Sequence, residues 1–386
     1  MNHHLACAVA LVIATGMTGC ATTPPALTDN SKASMPAPAA QDNPFFEEST
    51  LPLKYPVFDK IKDSDFGPAF DRGMADQLKE VEAIADNAEP ATFDNTIVAL
   101  EKSGQVLTRA ATVFFSLTGA DTNPTREKLQ ADYAAKLSAH GDAIALNPKL
   151  FARIKSLHDS RHSLGLSPEG VRLIERYYTD FVRSGANLTE SQKARIKDIN
   201  SQLATLGTKF NQNVLAEVNA SAVVVDTKAE LAGLSDGQIA AAAEAAKTRK
   251  LEGKYVIALL NTTGQPTLTQ LENRALRERV YKASIARGSR GGEFDNTGIV
   301  SQVLKLRAER AKLMGYANHA AFVLEDETAR SPEAVNAMMA KLAPAAMANA
   351  KREAVDMQAV IDAEQKAKGQ PSFKLEPWDW AFYAEK

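Results

Sequence analysis

The stretch from Thr189 to Phe210, TESQKARIKDINSQLATLGTKF, sets the character of the fold. Thr189 and Gln192 stand at the spacing of a capping box, in which each residue's side chain can satisfy the other's backbone N–H. Behind them Ile196, Ile199, Leu203, Leu206 and Phe210 recur at intervals of three or four, the period of one apolar stripe on a helix. Burying five such side chains contributes on the order of 10 kcal/mol before the entropy cost, so this helix is expected to be a central strut. The seam is too short to favour a coiled coil over antiparallel helix packing.

Outward from this helix the same signals repeat. Phe70, Met74, Leu78, Val81 and Ile84 describe an amphipathic helix, and Pro90 to Thr96 interrupt it before a second one through Ile97, Leu100 and Val106. Further helices are expected from about Arg126 to His140 and from Pro148 to Leu164. Ser167-Pro168-Glu169 supplies an N-cap with proline at the first helical position, opening a helix through Ile174, Tyr177, Tyr178 and Phe181. Later helices are expected over 236–247, 267–286 and 299–314, and from Ser331-Pro332-Glu333 to about Ala367. Strand signal is confined to Ala222–Val225 and Tyr255–Leu260, which are short and β-branched. The fold class is therefore mostly α, with one small β element at about 221–226 and 254–260.

The chain carries 45 basic and 47 acidic residues, a balance that gives no electrostatic reason to expect nucleic acid as a partner. Both cysteines, Cys7 and Cys20, lie close to the N-terminus. Leu5 to Gly16 is apolar and too short to span a bilayer comfortably, which suits a signal-peptide core. Met17-Thr18-Gly19-Cys20-Ala21 resembles the lipobox of bacterial lipoproteins, where the cysteine is lipidated and becomes the mature N-terminus. Met17 stands in place of the usual Leu, and His3 and His4 stand where Lys or Arg is usual. An ordinary cleavable signal peptide is the alternative. The expected layout is a lipoprotein-like signal peptide at 1–20, a disordered tether at 21–42 rich in Ala, Thr, Pro and Ser, and a helical region from 43 to 386. A lipidated Cys20 would anchor the protein to a membrane in the periplasm. With Ala21 beside it, nothing favours retention at the inner membrane, so the outer membrane is expected.

Chemistry is sparse in the residues alone. His158-Asp159-Ser160-Arg161-His162 would put two imidazoles one turn apart on a helix, the spacing of two zinc ligands. No third ligand is visible in the sequence, and two histidines four apart are common on solvated helix faces. Gly288-Ser289-Arg290-Gly291-Gly292 follows a helix and lacks the lysine of a phosphate loop, so it reads as a flexible turn. The charged residues from Arg274 to Arg287 read as a solvated helix face, although Arg287 beside Gly288 could reach a substrate. Both tryptophans lie in Pro377-Trp378-Asp379-Trp380, where a new helix is expected to begin and where Trp378 and Phe382 need packing partners.

Several phrases, in order along the chain, resemble the thimet-oligopeptidase family of zinc metallopeptidases, above all its bacterial peptidyl-dipeptidase (dipeptidyl carboxypeptidase) branch. They begin with Phe66-Gly67-Pro68-Ala69-Phe70, Thr92-Phe93-Asp94-Asn95-Thr96 and Leu206-Gly207-Thr208-Lys209-Phe210. Asn261-Thr262-Thr263-Gly264-Gln265-Pro266 leads into Arg274-Ala275-Leu276-Arg277-Glu278-Arg279. Arg307 to Tyr316, Ser331-Pro332-Glu333 and Pro377-Trp378-Asp379-Trp380 complete the set, which covers nearly everything from Asn43 onward.

The resemblance implies the N-terminal portion of a channel peptidase built of two mostly helical halves, admitting short peptides as substrates. Zinc in that family is bound by His-Glu-x-x-His and a later Glu, with the motif Glu activating the metal-bound water. No His-Glu dipeptide occurs in this sequence, so no catalytic or metal residue is carried over. The chain is expected to stop short of the zinc-binding half, to supply a wall of the substrate channel, and to be inactive and zinc-free by itself. A non-catalytic helical lipoprotein that binds peptides or a protein partner is the alternative, and a different zinc enzyme using His158 and His162 is a third.

Overall fold

The helix that opens behind Thr189 runs without a break to Ala220 in the computed structural model, which describes residues 43–386 except 263. The signal peptide, Cys20 and the tether expected at 1–42 lie outside the described residues. In chain order the elements are α1 (Asp63–Ala85), α2 (Ala99–Lys102), α3 (Gln105–Ala120), α4 (Pro124–Ala145), α5 (Pro148–Ser160), α6 (Pro168–Ser184) and α7 (Glu190–Ala220). They continue with β1 (Val223–Val225), α8 (Asp236–Lys247), β2 (Tyr255–Ile257), α9 (Arg274–Ile285), α10 (Thr297–Leu313), α11 (His319–Leu324), α12 (Pro332–Ala367) and α13 (Trp380–Ala384). The mostly α expectation with one small sheet is met. β1 and β2 pair antiparallel with Val223 opposite Ile257 and Val225 opposite Tyr255.

The caps explain where helices start. Thr189 N–H donates to Gln192 Oε1 at 3.0 Å, and Gln192 N–H donates back to Thr189 Oγ1 at 3.4 Å. Ser167 accepts from Gly170 N–H at 3.2 Å with Pro168 behind it, and Ser331 accepts from Ala334 N–H at 3.2 Å. Several boundaries differ from the sequence reading. The helix expected through Ile97 and Val106 is broken at Gly104, whose φ of +69° is a left-handed turn that ends α2 and starts α3. The helix expected from 267 begins only at Arg274, behind an Asn273 cap, because residues 266–269 form a separate 3-10 turn. The helix expected at Trp378 begins at Trp380.

Two compact units divide the described chain, and the division passes through α7 and α10. The first comprises residues 43–209 and Val303–Tyr316. One of its cores gathers Phe66, Phe70, Phe114 and Tyr133, with Phe70 and Phe114 edge to face at 5.2 Å and 87°. The other joins Ile84, Ile97, Leu150, Ile154, Ile174 and Phe181. α1 and α3 cross where Gly73 has no side chain: a Cβ there would lie 2.7 Å from the Leu107 nitrogen.

The second unit comprises Phe210–Gln302 and Ala317–Lys386. Its larger core joins Val225, Leu231, Ile257, Leu271, Leu276 and Val280, so the small sheet packs with α9. A smaller core joins Met357, Ile361 and Tyr383 where α12 meets α13. The apolar stripe of α7 is only partly buried: Ile196 and Ile199 are covered, whereas Leu203, Leu206 and Phe210 are half-buried. The strut is weaker than five full burials would make it.

Candidate functional site around Asp379

The second unit is organised around a carboxylate. Asn273 caps α9, accepting from Leu276 N–H at 3.1 Å, and this start sets Arg274 and Arg277 one turn apart on the same side of the helix. Their guanidinium groups converge on Asp379, which is wholly buried. Arg274 donates from Nε to both Asp379 oxygens at 3.1 Å and from Nη2 to Oδ2 at 2.9 Å. Arg277 donates from Nη2 to Oδ1 at 2.9 Å and from Nη1 to the carbonyls of Leu271 and Glu272 at 2.7 and 3.2 Å. Glu376 N–H adds a bond to Oδ2 at 3.2 Å. Such charge-assisted, forked bonds fix both position and orientation. A carboxylate with both oxygens this fully engaged is a clasp that holds two distant parts of the unit together.

Aromatic rings cover the clasp. The Arg277 guanidinium carbon lies 4.2 Å from the Phe382 centroid and that of Arg274 lies 4.2 Å from the Phe373 centroid. Trp378 packs against Tyr281 at 6.2 Å. Trp378 and Phe382 thus find partners within the chain. A groove of about 630 Å³ opens beside the clasp, lined by Arg274, Arg277, Glu364, Phe373, Phe382 and Tyr383 among others. The Lys386 ammonium, hydrogen-bonded to Glu364, holds that carboxyl below its usual range, and burial pushes the Tyr383 phenol up.

Two further constellations sit in the same unit. Gln265 folds the Asn261–Pro266 phrase around its own amide, accepting from Leu260 N–H at 2.9 Å and donating to Leu260 O at 3.0 Å and Ser284 Oγ at 3.1 Å. Arg287 donates to the carbonyls of Leu260 and Thr262 at 2.5 and 2.6 Å, so it anchors this loop instead of extending toward a substrate. The glycine-rich turn is pinned as well. The buried Glu217 carboxylate on α7 accepts from Arg290 Nε and, at 3.3 Å, from Gly288 N–H.

His158 and His162 do not share a helix face. α5 ends at Ser160, His162 falls in the 3-10 turn Arg161–Ser163, and the His158 ring stacks on Tyr178 at 3.9 Å. Among the described residues no group of three His, Cys, Asp or Glu side chains is placed to hold a metal ion. The donor set described here does not fit zinc.

The clasp binds together two of the phrases that carry the resemblance, Arg274–Arg279 and Pro377–Trp380. Residues 267–386, which contain both, match Peptidase family M3. Over 343 residues, 89% of this chain, the sequence is 42% identical to dipeptidyl carboxypeptidase of Escherichia coli (strain K12). The sequence is that of the thimet-oligopeptidase family, in its dipeptidyl carboxypeptidase branch. More distant relatives match as well. Oligopeptidase A of Escherichia coli is 28% identical over 339 residues, 87% of this chain and 49% of that protein. Organellar oligopeptidase A of Arabidopsis thaliana is 27% identical over 351 residues, 89% of this chain and 43% of that protein. The match to the Escherichia coli dipeptidyl carboxypeptidase likewise covers 50% of that relative, so this chain spans about half the length of the curated relatives it matches.

The arginines of the clasp are what the sequence reading missed. Arg277 lies on a stripe with Val280 and Ser284, at intervals of three and four, and all three are buried. That periodicity was the available signal. The charge of Arg277 masked it, because arginine is almost never fully buried unless paired.

Proposed function

We propose that this chain is the N-terminal part of an exported zinc metallopeptidase of the peptidyl-dipeptidase kind, acting on short peptides. It contributes a wall of the substrate channel, and a catalytic half like that of its longer relatives supplies the zinc ligands and the general base. Taken alone, the chain does not hydrolyse peptides. The observation that carries this reading is the 42% identity to dipeptidyl carboxypeptidase along 89% of the chain. The export and lipid anchor rest on the Leu5–Gly16 run and on Cys20 in its lipobox-like setting.

The activity is tested with a blocked peptide whose C-terminal dipeptide is released on cleavage. The chain alone, supplied with zinc, is expected to give no chelator-sensitive release, whereas a single polypeptide joining it to a His-Glu-x-x-His half is expected to give release that a chelator abolishes. Turnover by the chain alone would refute the division of labour. Tight binding of peptides by the chain, with no turnover in the joined polypeptide, would favour the non-catalytic lipoprotein. The anchor is tested by fractionation: the wild type is expected with membranes and Cys20→Ala in the soluble fraction.

A further inference from the structure

α12 is fully buried only toward its C-terminal end. Its C-terminal turns are buried through Met357, Ile361 and Gln365, against the segment that returns through Phe373 and Tyr383. Upstream, from Asn336 to Asn349, every residue is exposed, including Met338, Met339, Leu342 and Met347, each more than half exposed. That stretch reads NAMMAKLAPAAMAN and carries a single charge, Lys341. It presents about 21 Å of helix whose surface is mostly Met, Leu, Ala and Pro, with Lys341 its one charge and Asn336 and Asn349 at its ends.

Helices apolar all round are buried in folded proteins, and exposed apolar patches of this kind mark interaction sites. Pro344 sharpens the point: it has no N–H to offer the Ala340 carbonyl, which weakens the helix within its exposed stretch. A bilayer span does not account for the stretch, because no helix among the described residues is long and apolar enough to cross a membrane.

We infer that residues 336–349 of α12 are the surface on which the metal-binding half of a dipeptidyl carboxypeptidase docks. The occupant follows from length and chemistry. The relatives carry, in one chain, about as much polypeptide again as the part matched here. A partner of that size can surround a helix on several sides, and the near absence of charge calls for an apolar cover. Flexible methionines repack readily against such a surface. The inference rests on the proposed function, and its test separates the two.

The probe is the portion of the Escherichia coli dipeptidyl carboxypeptidase beyond the matched segment, joined to this chain in one polypeptide. Oxidation of Met338, Met339 and Met347 by hydrogen peroxide is followed by mass spectrometry in the joined polypeptide and in the chain alone. Expected is oxidation about tenfold slower in the joined polypeptide. Leu342→Glu with Met347→Glu is expected to abolish chelator-sensitive dipeptide release while leaving the melting temperature of the chain alone unchanged. Unprotected methionines together with dipeptide release would overturn the docking surface and leave the proposed function standing. Absence of release with the methionines protected would support the docking and count against the function. Protection in the chain alone that grows with concentration would assign the surface to a second copy and overturn the inference.

Discussion

Asp379 and Arg277 are 102 positions apart in sequence, yet they meet in the interior of the second unit, Oδ1 to Nη2 at 2.9 Å, with side chains 0% and 2% exposed. Removing one partner of such a pair leaves the other charged and buried. Asp379→Ala is therefore expected to cost about 3–5 kcal/mol, and Arg277→Met about the same. The double variant is expected to lose less than the sum, since neither charge is then stranded. Urea unfolding followed by the fluorescence of Trp378 and Trp380 measures all three. Additive losses would mean that the pair is not a coupled unit.

A second buried carboxyl works in the opposite sense. Asp142 on α4 accepts from Asn200 Nδ2 at 2.8 Å through one oxygen, while its other oxygen has no hydrogen-bond partner among the described residues. Burial pushes its pKa from 3.8 up to about 6, against the lowering influence of Asn200, Lys197 and Arg310. The folded state therefore binds the proton more tightly than the unfolded chain. The stabilising contribution is whole below about pH 4 and is lost as pH rises through about 6, a change on the order of 2–3 kcal/mol. Asp142→Asn keeps the acceptor for Asn200 and removes the charge. It is expected to gain roughly that amount at pH 8 and almost nothing at pH 4, read as the difference in urea midpoints. Buried His140, whose pKa burial lowers, is common to both proteins. A gain equal at both pH values would refute this.

Local signals were the legible part of this fold. Thr189 with Gln192, Ser167 with Pro168, and Ser331 with Pro332 all mark helix starts that the structure keeps, because a cap is decided within four residues. The two strands were legible because β-branched runs are rare in this chain. What stayed hidden depends on partners far along the chain. No spacing rule links Arg274 or Arg277 to Asp379, and an arginine-rich helix reads as solvated until its counter-ion is known. His158 and His162 misled for the reverse reason: their spacing assumes a helix that in fact stops at Ser160. The half-burial of Leu203, Leu206 and Phe210 was also out of reach, since periodicity shows that a stripe exists and not how much of it is covered.

The crossing of α1 and α3 depends on the missing side chain of Gly73. A methyl group there would sit 2.7 Å from the Leu107 nitrogen and 2.8 Å from its Cα, and backbone cannot swing aside as a flexible side chain can. Gly73→Ala is expected to cost about 1–3 kcal/mol through overpacking, despite alanine's better helix propensity. Gly119→Ala is the control, because a Cβ there meets nothing within 4 Å. That substitution is expected to leave stability unchanged or slightly raised. Thermal melts that rank the two variants the other way would refute the close approach.

The glycine-rich turn offers a test of whether a loop is held or free. Glu217 accepts from Arg290 Nε, from Gly288 N–H at 3.3 Å and from Ser221 Oγ at 3.2 Å, and Asn296 N–H closes the turn onto Gly288 O at 2.8 Å. Gly288, Gly291 and Gly292 all have positive φ, so only the bonds keep this segment from sampling other conformations. Glu217→Gln keeps the shape and removes the charge that strengthens those bonds, a loss of about 1.5–3 kcal/mol. Amide hydrogen exchange over residues 288–296 is expected to speed up by about tenfold or more, while exchange in α1 and α3 stays unchanged. Exchange as fast in the wild type as in the variant would show that Glu217 does not hold the turn.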